Sequence, residues 1–321
     1  MSFLRFVLFG LLLVANGANA QYPNRPLKMI IPFAPGGASD FVGRIFQPRL
    51  GELLGQQVVI DNRAGASGNV GMEAAARSAP DGYTIYLGNV GTIAINPGIF
   101  RGLTVVPTKD FVAVTQVVDV PGALIAHPSF PPNSIKEMIA YVKANPGKIN
   151  FASPGSGSQN RLEMEVIKKA EALDMVHVPY KGGAGPAATG LIAGETHMMF
   201  STVSSVLGHI KAGRLKALAV VSGKRLEQLP EVPTMVESGY PDSKSGSWQG
   251  LFVPAGTPKD IVDRLYAVMG QTMNGPDVVD RLAKNGIDVV LSPSSAAFAE
   301  YVATETVRWA KVAKESGATV D

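Results

Sequence analysis

The chain of 321 residues contains no cysteine. Neither disulfide bonds nor thiolate zinc sites are therefore available to it. Its net charge is only +3, and no basic stripe is interleaved with aromatic residues, so nucleic acid is not an expected partner. A core large enough to replace disulfides needs length, and about 300 residues suffice for a core divided between two lobes.

The sequence also lacks the common catalytic motifs. It has no Walker loop, no H-E-x-x-H and no G-x-S-x-G elbow. GASGNVG at 65–71 imitates a dinucleotide loop in spacing, but it lacks the G-x-G start and the acidic residue about 20 positions later. The four histidines, His127, His177, His197 and His209, are scattered, which favours structural or solvated side chains. We expect no cofactor, no metal site, no catalytic residue and no enzymatic activity.

The first twenty residues have the pattern of a signal peptide. Arg5 precedes an apolar stretch at 6–14, and small residues occupy 18–20. The apolar stretch is shorter than the roughly 20 residues that a membrane-spanning helix needs. No cysteine follows Ala20, so a lipid anchor is not expected. The pattern predicts cleavage after Ala20 and a periplasmic protein.

Strand-like and helix-like segments alternate along the rest of the chain, which indicates βαβ units and an α/β fold. Loops rich in Gly, Ser and Thr follow the strands, at 36–40, 88–92, 153–158, 181–186 and 201–205. In open α/β sheets ligands bind outside the carboxyl ends of the strands, where such loops gather. Helix N-termini there can bind an anion without lysine or arginine. The pattern predicts a cleft for an anion such as a carboxylate.

Several segments together resemble one known family. They are KMIIPFAPGGASD (28–40), VVIDNRAGASGNVG (58–71), APDGYTIYLGN (79–89), VPYKGGAGPAATGLIAGE (178–195), LKALAVVSGKRLEQLPEVPTMVESGYP (215–241) and LFVPAGTPKDIV (251–262). In this order they resemble the Bordetella-uptake-gene (Bug) family, the periplasmic solute-binding receptors of tripartite tricarboxylate transporters. The resemblance spans essentially all of the chain after residue 20.

The resemblance implies a two-lobed periplasmic-binding-protein (Venus-flytrap) fold. Each lobe would be a mixed sheet flanked by helices, and two crossing hinge strands would join them. Lobe 1 would comprise 21–118 plus 245–321, and lobe 2 would comprise 119–244. A monomer would capture a small carboxylate between the lobes and deliver it to an inner-membrane permease of the transporter.

The resemblance also implies which residues bind the ligand. In lobe 1 they are Phe33, Gly36, Gly37, Ala38, Ser39, Asp40, Asn89, Gly91 and Thr92. In lobe 2 they are Ser153, Gly155, Ser158, Asn160, Arg161, Tyr180, Lys181, Gly182 and Ser201. Asp40 is expected to cap or brace its loop rather than to contact an anion, and Lys181 could equally be solvated.

Three departures from the family pattern bear on the ligand. Arg161 replaces a common histidine, Gly-Glu-Thr-His at 194–197 replaces Gly-Gln-Val-Asp, and Ser201 replaces an aspartate. The last change removes an acid that would suit an amino group. We therefore expect a dicarboxylate or an aromatic carboxylate rather than an amino acid.

Two other functions stay open at this point. A receptor that signals to a membrane sensor kinase would need the same closure of the lobes. An exported serine hydrolase could use a serine of the 153–158 loop, although the sequence does not reveal a base for it.

Overall fold

The computed structural model describes residues 22–241, 243 and 246–317. The predicted signal peptide lies outside the described residues. Eleven strands occur in the described part of the chain. They are β1 (Leu27–Ile31), β2 (Val58–Asn62), β3 (Thr84–Asn89), β4 (Phe111–Val120), β5 (Gly122–Ala126), β6 (Ile149–Ser153), β7 (Met175–Pro179), β8 (Met198–Thr202), β9 (Lys216–Val221), β10 (Ser247–Pro254) and β11 (Asp288–Val289).

Eleven α-helices accompany these strands within the described ranges. They are α1 (Ala38–Leu54), α2 (Asn69–Ala76), α3 (Asn96–Ile99), α4 (Pro107–Asp110), α5 (Ile135–Ala144), α6 (Gln159–Ala170), α7 (Ala184–Ile192), α8 (Val203–Lys211), α9 (Lys259–Met273), α10 (Pro276–Ala283) and α11 (Ser295–Ser316). A 3₁₀ turn (Ala66–Gly68) and a π turn (Gly91–Ile95) precede α2 and α3. No helix described here combines the length and the apolar character needed to cross a membrane.

The strands form two mixed sheets, one in each lobe. The six-stranded sheet of the first lobe has the order β11-β4-β10-β3-β1-β2, with β1 parallel to β2 and β3, and β10 antiparallel to β3 and β4. The five-stranded sheet of the second lobe has the order β7-β6-β8-β5-β9, and β5 is antiparallel to both of its neighbours. This arrangement confirms the predicted two-lobed α/β fold.

Each sheet buries both faces, because helices cover it on both sides. In β1, Met29 and Ile31 belong to one core cluster of the first lobe, whereas Ile30 belongs to the cluster on the opposite face. In β5, Leu124 and Ile125 divide between two clusters in the same way. Strands buried on both faces read as continuous apolar runs rather than as an alternation.

The chain crosses between the lobes twice. Pro121 separates β4 of the first sheet from β5 of the second, and the return path runs between Tyr240 and Ser247. The lobe limits at 118/119 and 244/245 stay a prediction. The ten-residue strand β4, which the sequence analysis did not identify, continues to Val120 in the first sheet.

Candidate binding site between the lobes

A narrow cavity of about 50 Å³ lies between the lobes, where strands β1, β3, β6 and β8 end. Its residues from the first lobe are Phe33, Gly37, Ala38, Ser39, Ser67, Asn89, Val90, Gly91, Ser247 and Gln249. Its residues from the second lobe are Pro154, Gly157, Ser158, Gln159, Asn160, Ala184 and Thr202. We call these two sets the first wall and the second wall. Within the described part of the chain, neither wall contains an ionisable Asp, Glu, Lys, Arg or His side chain.

Four helices begin at this cavity. Gly37 is the N-cap of α1, Ser158 that of α6, and Thr202 that of α8, while Ala184 is the first residue of α7. The first amide groups of a helix have no partner within the helix, and its N-terminus carries a partial positive charge. Each such helix end stabilises a nearby anion by about 0.3–1 kcal/mol. The cavity therefore has the backbone groups and helix dipoles that suit an anion.

The loop before α1 is held by Asp40. Its carboxylate accepts hydrogen bonds from the Gly36 N–H (3.2 Å), Arg44 Nε (3.0 Å) and Asn62 Nδ2 (3.1 Å). Burial by itself raises the pKa of this carboxyl, but the hydrogen bonds from Arg44, Gly36 and Asn62 outweigh burial and hold its pKa below the usual value. Asn62 also donates to the Phe33 carbonyl (2.9 Å). Asp40 thus braces the loop, the role that was expected of it.

The turn after β3 is fixed by Thr92. Its backbone N–H donates to Asn89 Oδ1 (3.0 Å), and its hydroxyl accepts from the Tyr86 phenol (2.8 Å). Thr92 is fully buried. It holds Asn89 and Gly91 at the cavity and does not line the cavity itself.

The 153–158 loop contains a serine–histidine contact that sequence reasoning missed. Ser153 Oγ lies 2.7 Å from His177 Nε2 and 3.0 Å from the Gly155 carbonyl, to which it donates. Ser153 is fully buried and does not line the cavity. Burial, then the nearby charges of Arg161 and Lys168, lower the pKa of His177 to about 4. Such an imidazole is a poor general base near neutral pH. The contact therefore suits a structural role in holding the loop better than a catalytic one.

Arg161 also supports this loop. Its Nη1 donates to the Ser156 carbonyl (3.0 Å), and its Nε forms an ion pair with Glu165 (3.6 Å). The guanidinium is not part of the cavity lining. The sequence-based preference for a dicarboxylate or an aromatic carboxylate rested on Ser201 together with a nearby Arg161, and this position of Arg161 does not add support to it.

The remaining residues predicted in the second lobe lie around the cavity. The Tyr180 hydroxyl donates to Glu195 (2.6 Å), and Lys181 is exposed to solvent. The Gly182 carbonyl accepts a hydrogen bond from the Ala34 N–H of the first lobe (3.0 Å). Ser201 is fully buried in β8, with no hydrogen-bond partner for its hydroxyl among the described residues.

The structure brings part of the predicted set together. The cavity lining includes Phe33, Gly37, Ala38, Ser39, Asn89, Gly91, Ser158 and Asn160. It does not include Gly36, Asp40, Thr92, Ser153, Gly155, Arg161, Tyr180, Lys181, Gly182 and Ser201. Which of them contact a ligand stays a prediction.

Other lining residues were missed, among them Ser67, Gln159, Thr202, Ser247 and Gln249. Ser247 and Gln249 alternate along β10, and Gln249 pairs directly with Asn89. The spacing of two polar residues by two in an otherwise apolar strand was a usable signal. Ser67 lay in a segment that served the dinucleotide comparison and the family resemblance but supplied no predicted site residue.

The fold and the cavity together define a two-lobed solute-binding protein. Residues 42–318 match the family described as "Tripartite tricarboxylate transporter family receptor". Protein BugT of Bordetella pertussis is 36% identical over 298 residues, which cover 92% of this chain and 91% of BugT. The chain belongs to the tripartite tricarboxylate transporter receptor family, as the resemblance to Bug proteins predicted.

Solved structures agree with this assignment. The periplasmic binding protein BugD is 35% identical, with a TM-score of 0.88 and coverage of 93% of this chain and 99% of BugD. MatC of Rhodopseudomonas palustris with bound malate is 32% identical (TM-score 0.86; coverage 91% and 99%). Rpa4515 of R. palustris with adipate is 31% identical (TM-score 0.89; coverage 93% and 100%). Family members are periplasmic solute-binding receptors.

Proposed function

We propose that this protein captures a small dicarboxylate between its lobes and does not convert it chemically. One observation carries the proposal: helix N-termini converge on a cavity whose walls contain no charged side chain in the described residues. Such a site stabilises an anion through backbone amides and dipoles. It offers no carboxylate to an ammonium group, and a buried ammonium without a paired charge is costly.

A ligand with two anionic ends suits the distribution of the helix ends. Helix α1 begins in the first wall, whereas α6, α7 and α8 begin in the second. One carboxylate at each wall would use both sets of amides. Phe33 is the one aromatic side chain in the described lining, which supports an aliphatic dicarboxylate over an aromatic acid. Malate and adipate, which MatC and Rpa4515 hold, are both aliphatic dicarboxylates.

We also propose how the receptor works in the cell. The chain is exported, is cleaved after Ala20, and acts as a monomer, because one chain supplies both walls. Lobe 1 (21–118 plus 245–321) and lobe 2 (119–244) move about the two crossings and close on the ligand. The ligand stabilises the closed form by binding it more tightly than the open form. The closed form then docks on an inner-membrane permease of the tripartite tricarboxylate type.

Thermal unfolding with a ligand panel tests the capture of a dicarboxylate. The protein is denatured and refolded to remove any bound ligand, then heated with malate, succinate, adipate, citrate, benzoate or glutamate, each beside its neutral amide. A ligand at a hundred times its dissociation constant adds about 2.7 kcal/mol of stability. We expect a rise in Tm of several degrees with one aliphatic dicarboxylate and none with its diamide. A rise with glutamate alone, or equal rises with acid and amide, would contradict the proposal.

Uptake by cells tests the transport role. Deletion of the receptor gene should abolish uptake of the radiolabelled dicarboxylate, and the gene supplied in trans should restore it. A receptor that only signals to a sensor kinase would leave uptake intact when the permease is expressed from a constitutive promoter. The two roles therefore give opposite results.

A further inference from the structure

Besides the cavity, the two lobes touch directly. The Ala34 N–H of the first lobe donates to the Gly182 carbonyl of the second (3.0 Å), a contact between backbone groups. At the cavity lining, the Gly157 N–H of the second lobe donates to Ser67 Oγ of the first (3.2 Å). In this second contact a side chain of one lobe holds a loop of the other by a direct hydrogen bond.

Ser67 lies in an unusual turn. Gly65, Ala66, Ser67 and Gly68 all have positive φ, at 140°, 44°, 55° and 91°. Alanine and serine rarely adopt this left-handed region, because their Cβ crowds the following carbonyl. Strained backbone persists where the surroundings impose it, and it clusters at functional sites. The turn sets the direction of the Ser67 side chain toward the second lobe.

Neighbouring side chains hold the turn in this shape. Asn96 is fully buried, and its Nδ2 donates to the Ser67 carbonyl (3.1 Å) and to Asn69 Oδ1. A Cβ on Gly68 would approach Thr92 to 2.5 Å, so the turn also packs closely on the π turn. The first lobe thus presents Ser67 from a rigid support.

The loop of the second lobe is shaped to receive it. A Cβ on Gly155 would lie 2.8 Å from Ser67 Oγ, and a Cβ on Gly157 would lie 1.9 Å from Asn96 Oδ1. Glycine at both positions lets the 153–158 loop reach the hydroxyl. The residues after it, Ser158 and Asn160, line the cavity, so the bond fixes the N-terminus of α6 beside the anion site.

We propose that Ser67 is a positioning residue that latches the 153–158 loop in its ligand-binding position through a hydrogen bond that joins the two lobes directly. The proposal rests on the proposed solute-binding function, but its test does not require knowledge of the ligand. Part of the free energy that favours the closed cleft then comes from the protein rather than from the ligand, and the Ser67 hydroxyl supplies that part.

The absence of native cysteine permits a direct measurement. Cysteines replacing the exposed Glu52 in α1 and Lys211 in α8 carry nitroxide labels, one in each lobe. Both helices begin at the cavity and end away from it, so the distance between the labels reports closure. Pulsed electron spin resonance of the refolded, ligand-free protein then gives the populations of short and long distances.

Ser67→Ala and Ser67→Gly both remove the hydroxyl, but only glycine relieves the left-handed strain. We expect both to lower the ratio of closed to open molecules about 2- to 10-fold, the effect of one hydrogen bond. The thermal unfolding midpoint should fall in Ser67→Ala and be kept or raised in Ser67→Gly. Ser222→Ala, which removes a hydroxyl bonded within its own turn (2.6 Å to the Lys224 carbonyl), should leave the ratio unchanged.

Several results would overturn the latch. They are an unchanged ratio in Ser67→Gly, an equal shift in Ser222→Ala, or a parent protein with only the long distance. None of these results depends on which solute is bound. A failure of the ligand panel with a preserved latch would instead count against the dicarboxylate proposal alone.

Discussion

The two walls of the cleft are built differently. The first wall is braced within its own lobe, where Asp40 and Asn62 tie the loop before α1. Its Gly37 has open space, since a Cβ there would meet no atom closer than 3.9 Å. In the second wall, Gly157 faces the other lobe, since a Cβ on it would lie 1.9 Å from Asn96 Oδ1. Gly183, which precedes Ala184 of the second wall, faces it as well, since a Cβ there would lie 3.1 Å from Phe33.

This difference separates two uses of glycine. Gly37 of the first wall keeps room in the cavity, and local hydrogen bonds set the shape of its loop. Gly157 of the second wall permits the approach of the opposite lobe. Substitution of Gly37 should therefore act on the ligand, and substitution of Gly157 should act on closure.

The largest effect is expected at Gly37. Its φ of −87° is accessible to any residue, so Gly37→Val should fold normally. The new side chain would fill a cavity of only about 50 Å³, and close-packed interiors do not absorb such a volume. We expect affinity for the stabilising dicarboxylate to fall about 100-fold or more, measured by titration calorimetry. Gly223→Val, with no atom within 4 Å, is the matched control, and normal affinity in Gly37→Val would contradict the role of the first wall.

A smaller loss is expected from Gly157→Ala. The added methyl group obstructs closure, and overpacking costs about 1–3 kcal/mol, which corresponds to an affinity about 5- to 150-fold weaker. The Tm without ligand should stay within about 2 °C, because the lobes can fold and remain open. Gly208→Ala, with open space around it, should bind as the parent does. Equal affinity in the two variants would remove the distinction between the walls.

Glu163 lies in α6, where the helix that begins at the second wall packs against the first lobe away from the cleft. Leu162 of α6 packs in a first-lobe core cluster with Trp309 of α11. Beside it, Gln159 Nε2 donates to Glu163 Oε1 (2.8 Å). Burial raises the pKa of Glu163 from 4.5 to about 8, and the Gln159 hydrogen bond and the Arg308 charge only partly oppose burial.

The sign of the pH effect follows from that direction. The folded protein binds the Glu163 proton more tightly than the unfolded chain does. The stability that protonated Glu163 contributes is therefore fully present below pH 4.5 and is lost as pH rises through about 8. We expect Tm to fall by about 5 °C between pH 5 and 8, and Glu163→Gln to remove most of this slope. An identical slope in the variant would show that Glu163 ionises freely in the folded protein.

Asp40→Asn should have the smallest effect on binding. It removes a carboxylate that accepts three hydrogen bonds, and we expect the free energy of unfolding at pH 7 to fall by about 1–2 kcal/mol. Because the pKa of Asp40 is lowered, its contribution is present above pH 3.8 and disappears as pH falls through the folded-state pKa. Urea unfolding at pH 7 and pH 3 checks this. A large loss of affinity with unchanged stability would mean that Asp40 contacts the ligand.

The sequence predicted much of the fold because the local signals agreed with it. Helix α1 begins at Ala38, within the 36–40 loop where a helix N-terminus was expected, and Ser134 marks the start of α5 by accepting a hydrogen bond from the Glu137 N–H. Strand β4 was missed although it is the longest of the described strands. It carries the chain toward the crossing at Pro121, and no glycine-rich loop marks its end.

The site was only partly predictable. Loop composition predicted a cleft beside the 36–40 and 153–158 loops, and the family resemblance predicted Gly37, Ser39 and Asn160 in it, which the cavity lining includes. The sequence did not predict which side chains of these segments point toward the cavity. Arg161 turns to the Ser156 carbonyl and Ser201 is buried in its sheet. Contacts between distant segments, such as Ser67 with Gly157, depend on how the lobes meet, and no local pattern reports them.

Titration calorimetry on the refolded protein tests the central claim most directly. The aliphatic dicarboxylate that gives the largest rise in Tm is titrated beside its diamide and beside the amino acid of equal length. Saturable binding of the dicarboxylate at micromolar concentrations, with no heat from the diamide or the amino acid, is the predicted result. Binding of the amino acid or of the diamide with equal affinity would contradict a neutral cleft that recognises carboxylates through helix N-termini.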